Sequence, residues 1–420
     1  MIQKNSRYAW FIWTLGASFF FFEYIVRVSP GVLAQQLFQA FHINAYQLGL
    51  LSSAFSLSYI AMQIPVGTLV DKYSVRWLVG FMALLCAGST FLFASTDTFQ
   101  WAVFARFLIG ITGAFAFVGA LKIATLFFSP KHFGFLAGMT QALGMLGAAA
   151  GAGPLSVVVA SMGWRHTLMF LAGLIAVLSL LIFVLVKDKP ASDGLPERET
   201  HSIWEGVVVV FKSKHTWINV VIIGLLYAPT MVLGELWGPL YISRVYNVSP
   251  IEAASVISVI LLGWAIGSPL FGWISDRIQR RKPIIVCSAA FSLIFIFIIL
   301  YCPSLPMPWL FVVAFLYGFS NVGVSTCYAV AAELTPNHYA GTALGFTNMA
   351  SILLGALFLP IVGRLLDLHW DGKLVDGMRF YSAADLQSAM ISLPICLVLC
   401  LILCFFLKES YPGRAIKSGL

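Results

Sequence analysis

Charge is what this sequence has least of. Only 10% of its 420 residues are Asp, Glu, Lys or Arg, and 60% are hydrophobic, whereas soluble domains carry roughly 25% charged residues. So little charge leaves too much apolar surface to hide from water, which excludes an ordinary soluble fold and makes the bilayer the expected solvent. Patterns that carry chemistry are scarce as well. No Gly-x-x-x-x-Gly-Lys-Ser/Thr loop is present, so nothing points to direct use of ATP. No His, Cys and carboxylate group has metal-ligand spacing, and no nucleophile stands beside a base; neither an enzyme activity nor a metal or other cofactor is expected. No histidine falls in the middle of an apolar run, which excludes an intramembrane histidine relay. The seven cysteines lie mostly inside apolar runs, and Cys396, Cys400 and Cys404 share one helical face, where sulfur acts as a small hydrophobe.

What the chain has in abundance is apolar runs of about 20 residues, each long enough to cross the hydrocarbon. Six fall near residues 8–38, 47–70, 77–94, 101–128, 133–161 and 167–186, and six more near 217–245, 253–274, 284–301, 309–332, 340–366 and 389–407. No small-residue cleavage site follows the first run, so it is expected to stay as a span. The pattern predicts an all-α membrane protein of twelve transmembrane helices. Residues 188–215 are the long polar interruption, with an amphipathic surface helix expected over 202–214. They divide an N-terminal bundle, 1–187, from a C-terminal bundle, 216–420. A polar excursion over 367–385 precedes the last span and reads as a short helix or hairpin.

The formal net charge of +8 invites a nucleic-acid reading, but the cations are scattered through short loops. Arg165, Arg244, Arg364, Lys373 and Arg379 fall on one side, and Arg27, Arg106 and Lys122 fall inside spans. Every other Lys and Arg lies on the opposite side, which the positive-inside bias assigns to the cytoplasm together with both termini. The expected location is a bacterial inner membrane.

The loop at 67–76 places Gly67, Asp71, Lys72, Tyr73 and Arg76 just past an apolar run, and a copy at 272–281 places Gly272, Asp276 and Arg277 at an offset of 205 residues. Phe107 and Gly110 in Phe107-Leu-Ile-Gly110 match Phe315 and Gly318, and Ser129-Pro130 matches Thr335-Pro336, at offsets close to that value. Agreement at several sites marks an internal duplication of half the chain.

These motifs resemble those of the major facilitator superfamily across essentially the whole chain. The duplicated Gly-x-x-x-Asp-Lys/Arg loop is similar to that family's signature between its second and third helices. Arg106-Phe-Leu-Ile-Gly110 is similar to its second motif, and the segments at 129–134 and 333–345 resemble its elbows. The resemblance implies two six-helix bundles around a central cavity that opens to alternate sides. It also implies a closed-state contact of Asp71 with the start of the eleventh span near Ala340, and of Asp276 with the fifth span near Phe133. Gly67 and Gly272 would allow close helix approach there, and Lys72, Arg76 and Arg277 join the gating set with Arg106, which is expected to be either a helix-packing or a gate residue. Two departures stand out. Gly153-Pro154 is followed by Leu-Ser-Val-Val rather than the paired glycines of drug antiporters, and Ser74 replaces a usual glycine. The first helix, Phe21-Phe22-Glu23-Tyr24-Ile-Val-Arg27-Val-Ser29-Pro30, resembles both the bacterial relatives of lysosomal dipeptide carriers and the anion:cation symporters.

Glu23 and Arg27 stand four residues apart on that helix and share a face. Glu23 lies about 22 Å into the span at 1.5 Å per residue, where ionisable groups are costly and usually functional. Arg27 has the planar fork that suits a carboxylate. Glu23 is a candidate proton site, freed when substrate occupies Arg27; a structural ion pair near the interface is the competing reading. Glu235 lies at similar depth in the seventh span. The resemblance implies that the first and seventh helices flank the cavity, so Glu235 is expected to face Arg27 across it as a second proton site or an anchor for an amine. An interfacial residue near the outer end is the competing reading. Tyr24, Tyr227, Lys122, Gln141 and Asn321 complete the candidate binding set, with Tyr59, Gln63, Tyr317, Tyr328 and Asn348 as further cavity candidates. The expected activity is proton-coupled uptake of an amino acid, dipeptide or organic acid by a monomer in the lipid bilayer, with no nucleic-acid partner. Efflux of drugs or metabolites, and a sensor that moves nothing, are the alternatives.

Overall fold

The computed structural model describes residues 7–128, 133–186, 203–336, 339–375 and 378–411. The elbow at 129–132, most of the polar segment at 188–215, and the side chain of Asp71 lie outside what it describes. The first half comprises α1 (Arg7–Val32), α2 (Ala34–Phe41), α3 (Ala45–Lys72), α4 (Val75–Ser95), α5 (Phe99–Phe127), α6 (Phe133–Ala150), α7 (Gly153–Met162) and α8 (Trp164–Leu185). A surface helix, α9 (Ile203–Lys212), leads to α10 (Lys214–Met231), a π turn (Val232–Trp237) and α11 (Gly238–Val245). Then come α12 (Pro250–Ile278), α13 (Lys282–Tyr301), α14 (Met307–Ser320), α15 (Gly323–Glu333), α16 (Ala340–His369), α17 (Ala383–Met390) and α18 (Ser392–Phe406). A two-stranded antiparallel ribbon, β1 (Leu374–Val375) with β2 (Met378–Arg379), lies in the polar excursion before α17.

Among the described residues, ten segments are long and apolar enough to cross a bilayer, and the pair α6 and α7, bent by 42°, makes an eleventh. The 28 residues of α3 are also of spanning length. These make two bundles of six, with apolar side chains such as Phe170, Val184, Ile294 and Phe405 exposed on their outer faces. Several expected continuous spans are broken, each for a local reason. The fifth breaks at Gly151–Ala152, where Pro154 opens α7 and a Cβ on Gly151 would stand 2.9 Å from the Ile25 backbone. The seventh widens into the π turn, where Gly238 donates its N–H back to Leu233 and Pro239 has none to give.

The duplication is visible as repeated packing. A Cβ on Gly110 would overlap the Phe55 carbonyl, and one on Gly318 would overlap the Ile260 carbonyl. Both members of one contact map onto the other at the repeat offset. Lipid tails are as apolar as the helices, so such close small-residue crossings supply much of the association.

The two bundles meet at the end of the molecule away from Lys72 and Arg277. There α3 packs along α16, and α6 and α7 pack on α12. Ser53 Oγ donates to Ala356 O at 2.6 Å, and Ser258 Oγ bridges the two bundles through Gly153 N and Ala149 O at 2.7 Å each. The first turn of α3 has free backbone donors, as every helix start does. Tyr381 Oη takes the one from Ala45 at 3.0 Å and Asp367 Oδ2 takes the one from Tyr46 at 3.0 Å. Asp367 is itself held by Tyr381 Oη and Arg379 Nη1. The opposite, cation-rich end is open. A Cβ on Gly67, Gly138, Gly272 or Gly345 would meet nothing within 4 Å among the described residues. Close approach at Gly67 and Gly272 is therefore absent in this conformation, because the bundles are splayed apart at that end.

Gly110→Ala and Gly318→Ala should each cost about 1–3 kcal/mol through overpacking against backbone, read as a lowered Tm of the purified protein, with similar losses at the two repeat positions. Asp367→Asn should loosen the closed end. A cysteine introduced at Ser53 would then react several-fold faster with a membrane-impermeant maleimide, and an unchanged rate would remove Asp367 from the seal.

Candidate functional site

A cavity of about 510 Å³ lies between the bundles, lined from α1, α3, α5, α6, α10, the π turn, α12, α15 and α16. Gln63, Ser268, Leu344 and Asn348 line the part toward the cation-rich end, and Tyr24, Arg27 and Glu235 lie deeper. Gln63 and Asn348 reach across to each other at 3.2 Å.

The deep end is an ion pair. Arg27 Nε donates to Glu235 Oε1 at 2.9 Å, and Nη2 stands 2.8 Å from the same oxygen. Both side chains are at most a tenth exposed. The rings of Tyr24, Phe55 and Tyr59 surround the guanidinium, with centroids 5.1, 5.3 and 5.5 Å from its carbon. A desolvated cation gains from each such face. The π turn brings the Glu235 backbone against α1. A Cβ on Gly31 would be only 3.0 Å from the Glu235 carbonyl oxygen, so glycine is required there for the two helices to meet.

Arg106 sets the position of Arg27 from behind. Pro30 lies inside α1 and has no N–H for the carbonyl of Val26. Arg106 Nη1 donates to Val26 O at 2.9 Å and Nη2 to Arg27 O at 3.1 Å, and Ser29 Oγ adds a bond to Val26 O. Of the two roles expected for Arg106, these bonds are those of a buried helix-packing residue that clamps the first helix.

Glu23 does not line the cavity. It is fully buried inside the first bundle, and neither carboxyl oxygen has a hydrogen-bond partner among the described residues. It lies against α5, where a Cβ on Gly113 would stand 2.8 Å from Oε1. The shared helical face therefore does not become a shared site, because Arg27 is drawn across the interface to Glu235.

Tyr24, Tyr227 and Gln141 line the cavity, as do Tyr59, Gln63, Tyr328 and Asn348. Lys122 and Asn321 do not. Asn321 is buried at the break between α14 and α15, where its amide donates to Leu226 O and Ser292 Oγ and accepts from Thr230. Tyr317 bonds Thr230 in the same network. Of the copied loop, Asp276 pairs at 2.7 Å with Arg281, which also binds Glu333. Arg277 lies over Trp273, Lys72 over Tyr73 and Arg76 over Trp77, with Arg76 also bonded to Phe183 O. Trp264 and Ser268 line the cavity without having been singled out in the sequence. The repeat offset of 205 relates them to Tyr59 and Gln63 and is the signal that finds them.

Residues 13–360 match the family model described as Major Facilitator Superfamily. The chain belongs to this superfamily. Relatives include the "uncharacterized transporter YybO" of Bacillus subtilis, 24% identical over 87% of this chain and 89% of that protein. Another is the "lysosomal dipeptide transporter MFSD1" of Pongo abelii, 23% identical over 83% of this chain and 77% of that protein. A bacterial homologue of the human lysosomal transporter Spinster, solved in an inward-facing and unoccupied conformation, shares the fold with TM-score 0.83 at 17% identity, over 96% of this chain and 97% of that one. The protein is a multi-pass membrane transporter that binds small molecules, not an enzyme.

Arg106→Ala should remove two charge-assisted bonds, each worth about 1.5–3 kcal/mol, and lower Tm accordingly. Arg106→Lys should recover at most part of the loss, since an ammonium lacks the fork that reaches both carbonyls.

Proposed function

We propose that the protein carries out proton-coupled uptake of a small polar organic solute, an amino acid, dipeptide or organic acid, by alternating access as a monomer. The cation-rich end faces the cytoplasm of a bacterial cell with both termini, so the conformation described is open inward. One observation carries the reading: the cavity ends on an Arg–Glu pair that spans the two bundles, with an unpartnered carboxyl held one turn away on the same helix. Arg27 supplies the anchor for a substrate carboxylate. Its departure from Glu235 removes a bond between the bundles at the closed end. Alternation requires differential contacts in the two states, and this bond is one of them.

Glu23 is the coupling site in this reading. A buried charge without partners is costly in the membrane interior, and a bound proton removes that charge. Glu23 sits beside the clamp by which Arg106 holds α1, so its protonation is felt by the helix that bears Arg27. The domain frame of this mechanism is the pair of bundles 1–187 and 216–420, joined by 188–215. The loops at 67–76 and 272–281 would engage the opposite bundle when the inner end closes.

In liposomes, Glu23→Gln should retain substrate exchange and lose accumulation driven by a pH gradient. Undiminished accumulation in that variant would remove Glu23 from coupling. A solute that binds the purified wild type and is never taken up would favour the sensor reading.

A further inference from the structure

Arg27 and Glu235 come from different halves of the chain and meet across the interface between the bundles. One cation and one anion therefore face each other in the cavity between the bundles. They are also the two charged side chains that line the cavity among the described residues, and its charge sums to zero. We infer that the substrate is a small zwitterion, an amino acid or short peptide, whose carboxylate replaces Glu235 on Arg27 while its ammonium replaces Arg27 on Glu235. This inference rests on the transport reading above and names its substrate class.

Charge balance carries the choice. A monoanion that took Arg27 would leave Glu235 buried and unpaired, and a cation that took Glu235 would do the same to Arg27. Breaking a buried pair by removing one partner is strongly unfavourable. A dianion would bring two negative charges to one cation that stands beside a carboxylate, and like-charge juxtaposition penalises it further. A ligand with both charges leaves neither residue orphaned and needs no proton on Glu235 to do so.

The geometry of the pair leaves room for a better partner. Arg27 presents Nε and Nη2 to one oxygen of Glu235, and Nη2 lacks the angle of a hydrogen bond. The two-pronged arrangement that makes guanidinium–carboxylate pairs strong is thus unused, and an incoming carboxylate can adopt it. The rings of Tyr24, Phe55 and Tyr59 keep the guanidinium in place whether or not Glu235 holds it. Beyond the pair, the cavity offers uncharged donors and acceptors, including Gln141, Tyr227 and Tyr328. These suit a peptide group or a polar side chain, and 510 Å³ accommodates a dipeptide with water.

The test is a thermal-shift titration of the purified full-length protein with a panel of amino acids and dipeptides. Each active compound is then compared with its N-acetylated anion, its amide cation and the dianion glucarate. The zwitterion should raise Tm and the three single-sign analogues should not. Glu235→Gln should weaken zwitterion binding at least ~10-fold and narrow its advantage over the N-acetylated form. Should Glu235→Gln misfold, the double variant Arg27→Glu with Glu235→Arg restores the pair in reverse and should keep the zwitterion preference. Stabilisation by glucarate with none by any zwitterion would overturn the inference, as would an unchanged zwitterion to N-acetyl ratio in Glu235→Gln. Liposome uptake separates the two readings. A zwitterion that binds but is not transported defeats the transport reading alone, and transport of glucarate without zwitterions defeats the substrate class alone.

Discussion

Two opposite charges buried between two helical bundles are the constraint on which the rest of this molecule depends. In hydrocarbon neither Arg27 nor Glu235 is tolerable alone, and each is supplied by a different half of the chain. The surrounding structure makes their meeting possible. Pro30 offers no N–H to the Val26 carbonyl, and Arg106 satisfies it together with the carbonyl of Arg27. Gly31 lets α1 touch the π turn, and the π turn in its widened helix presents Glu235 toward the axis. Three rings enclose the guanidinium.

Conformation follows from where the bundles can touch. At one end, hydroxyls, backbone groups and a carboxylate cross the interface, with Asp367 and Tyr381 filling the donors at the start of α3. At the other, glycines of α3, α6, α12 and α16 face open space. The open end is thus lined by helices already shaped for close approach. The ion pair at the cavity floor stands at the boundary between the closed and open regions, so a ligand that replaces it acts where the two bundles are joined.

Duplication and divergence divide the labour. The crossing of Gly110 with Phe55 recurs as that of Gly318 with Ile260, and it builds the same frame twice. Where the two halves meet at the cavity, one supplies an arginine and the other a glutamate. Identical residues there would repel or leave both unpaired. The sign difference is what turns a symmetric scaffold into a site with direction.

Composition and periodicity were enough for the membrane, the long helices, the repeat and the side that carries the cations, because these depend on local properties summed over twenty residues at a time. The repeat register also contained Trp264 and Ser268, through Tyr59 and Gln63. What tertiary structure decided is which way the buried charges point. Glu23 and Arg27 are neighbours on one helix, yet one turns into its own bundle against Gly113 and the other crosses to Glu235. Asn321 has the look of a cavity residue and is spent on a helix break. Helical spacing determines which residues share a face; only packing against the other ten or more helices determines whether that face meets a cavity, a partner or another wall of protein.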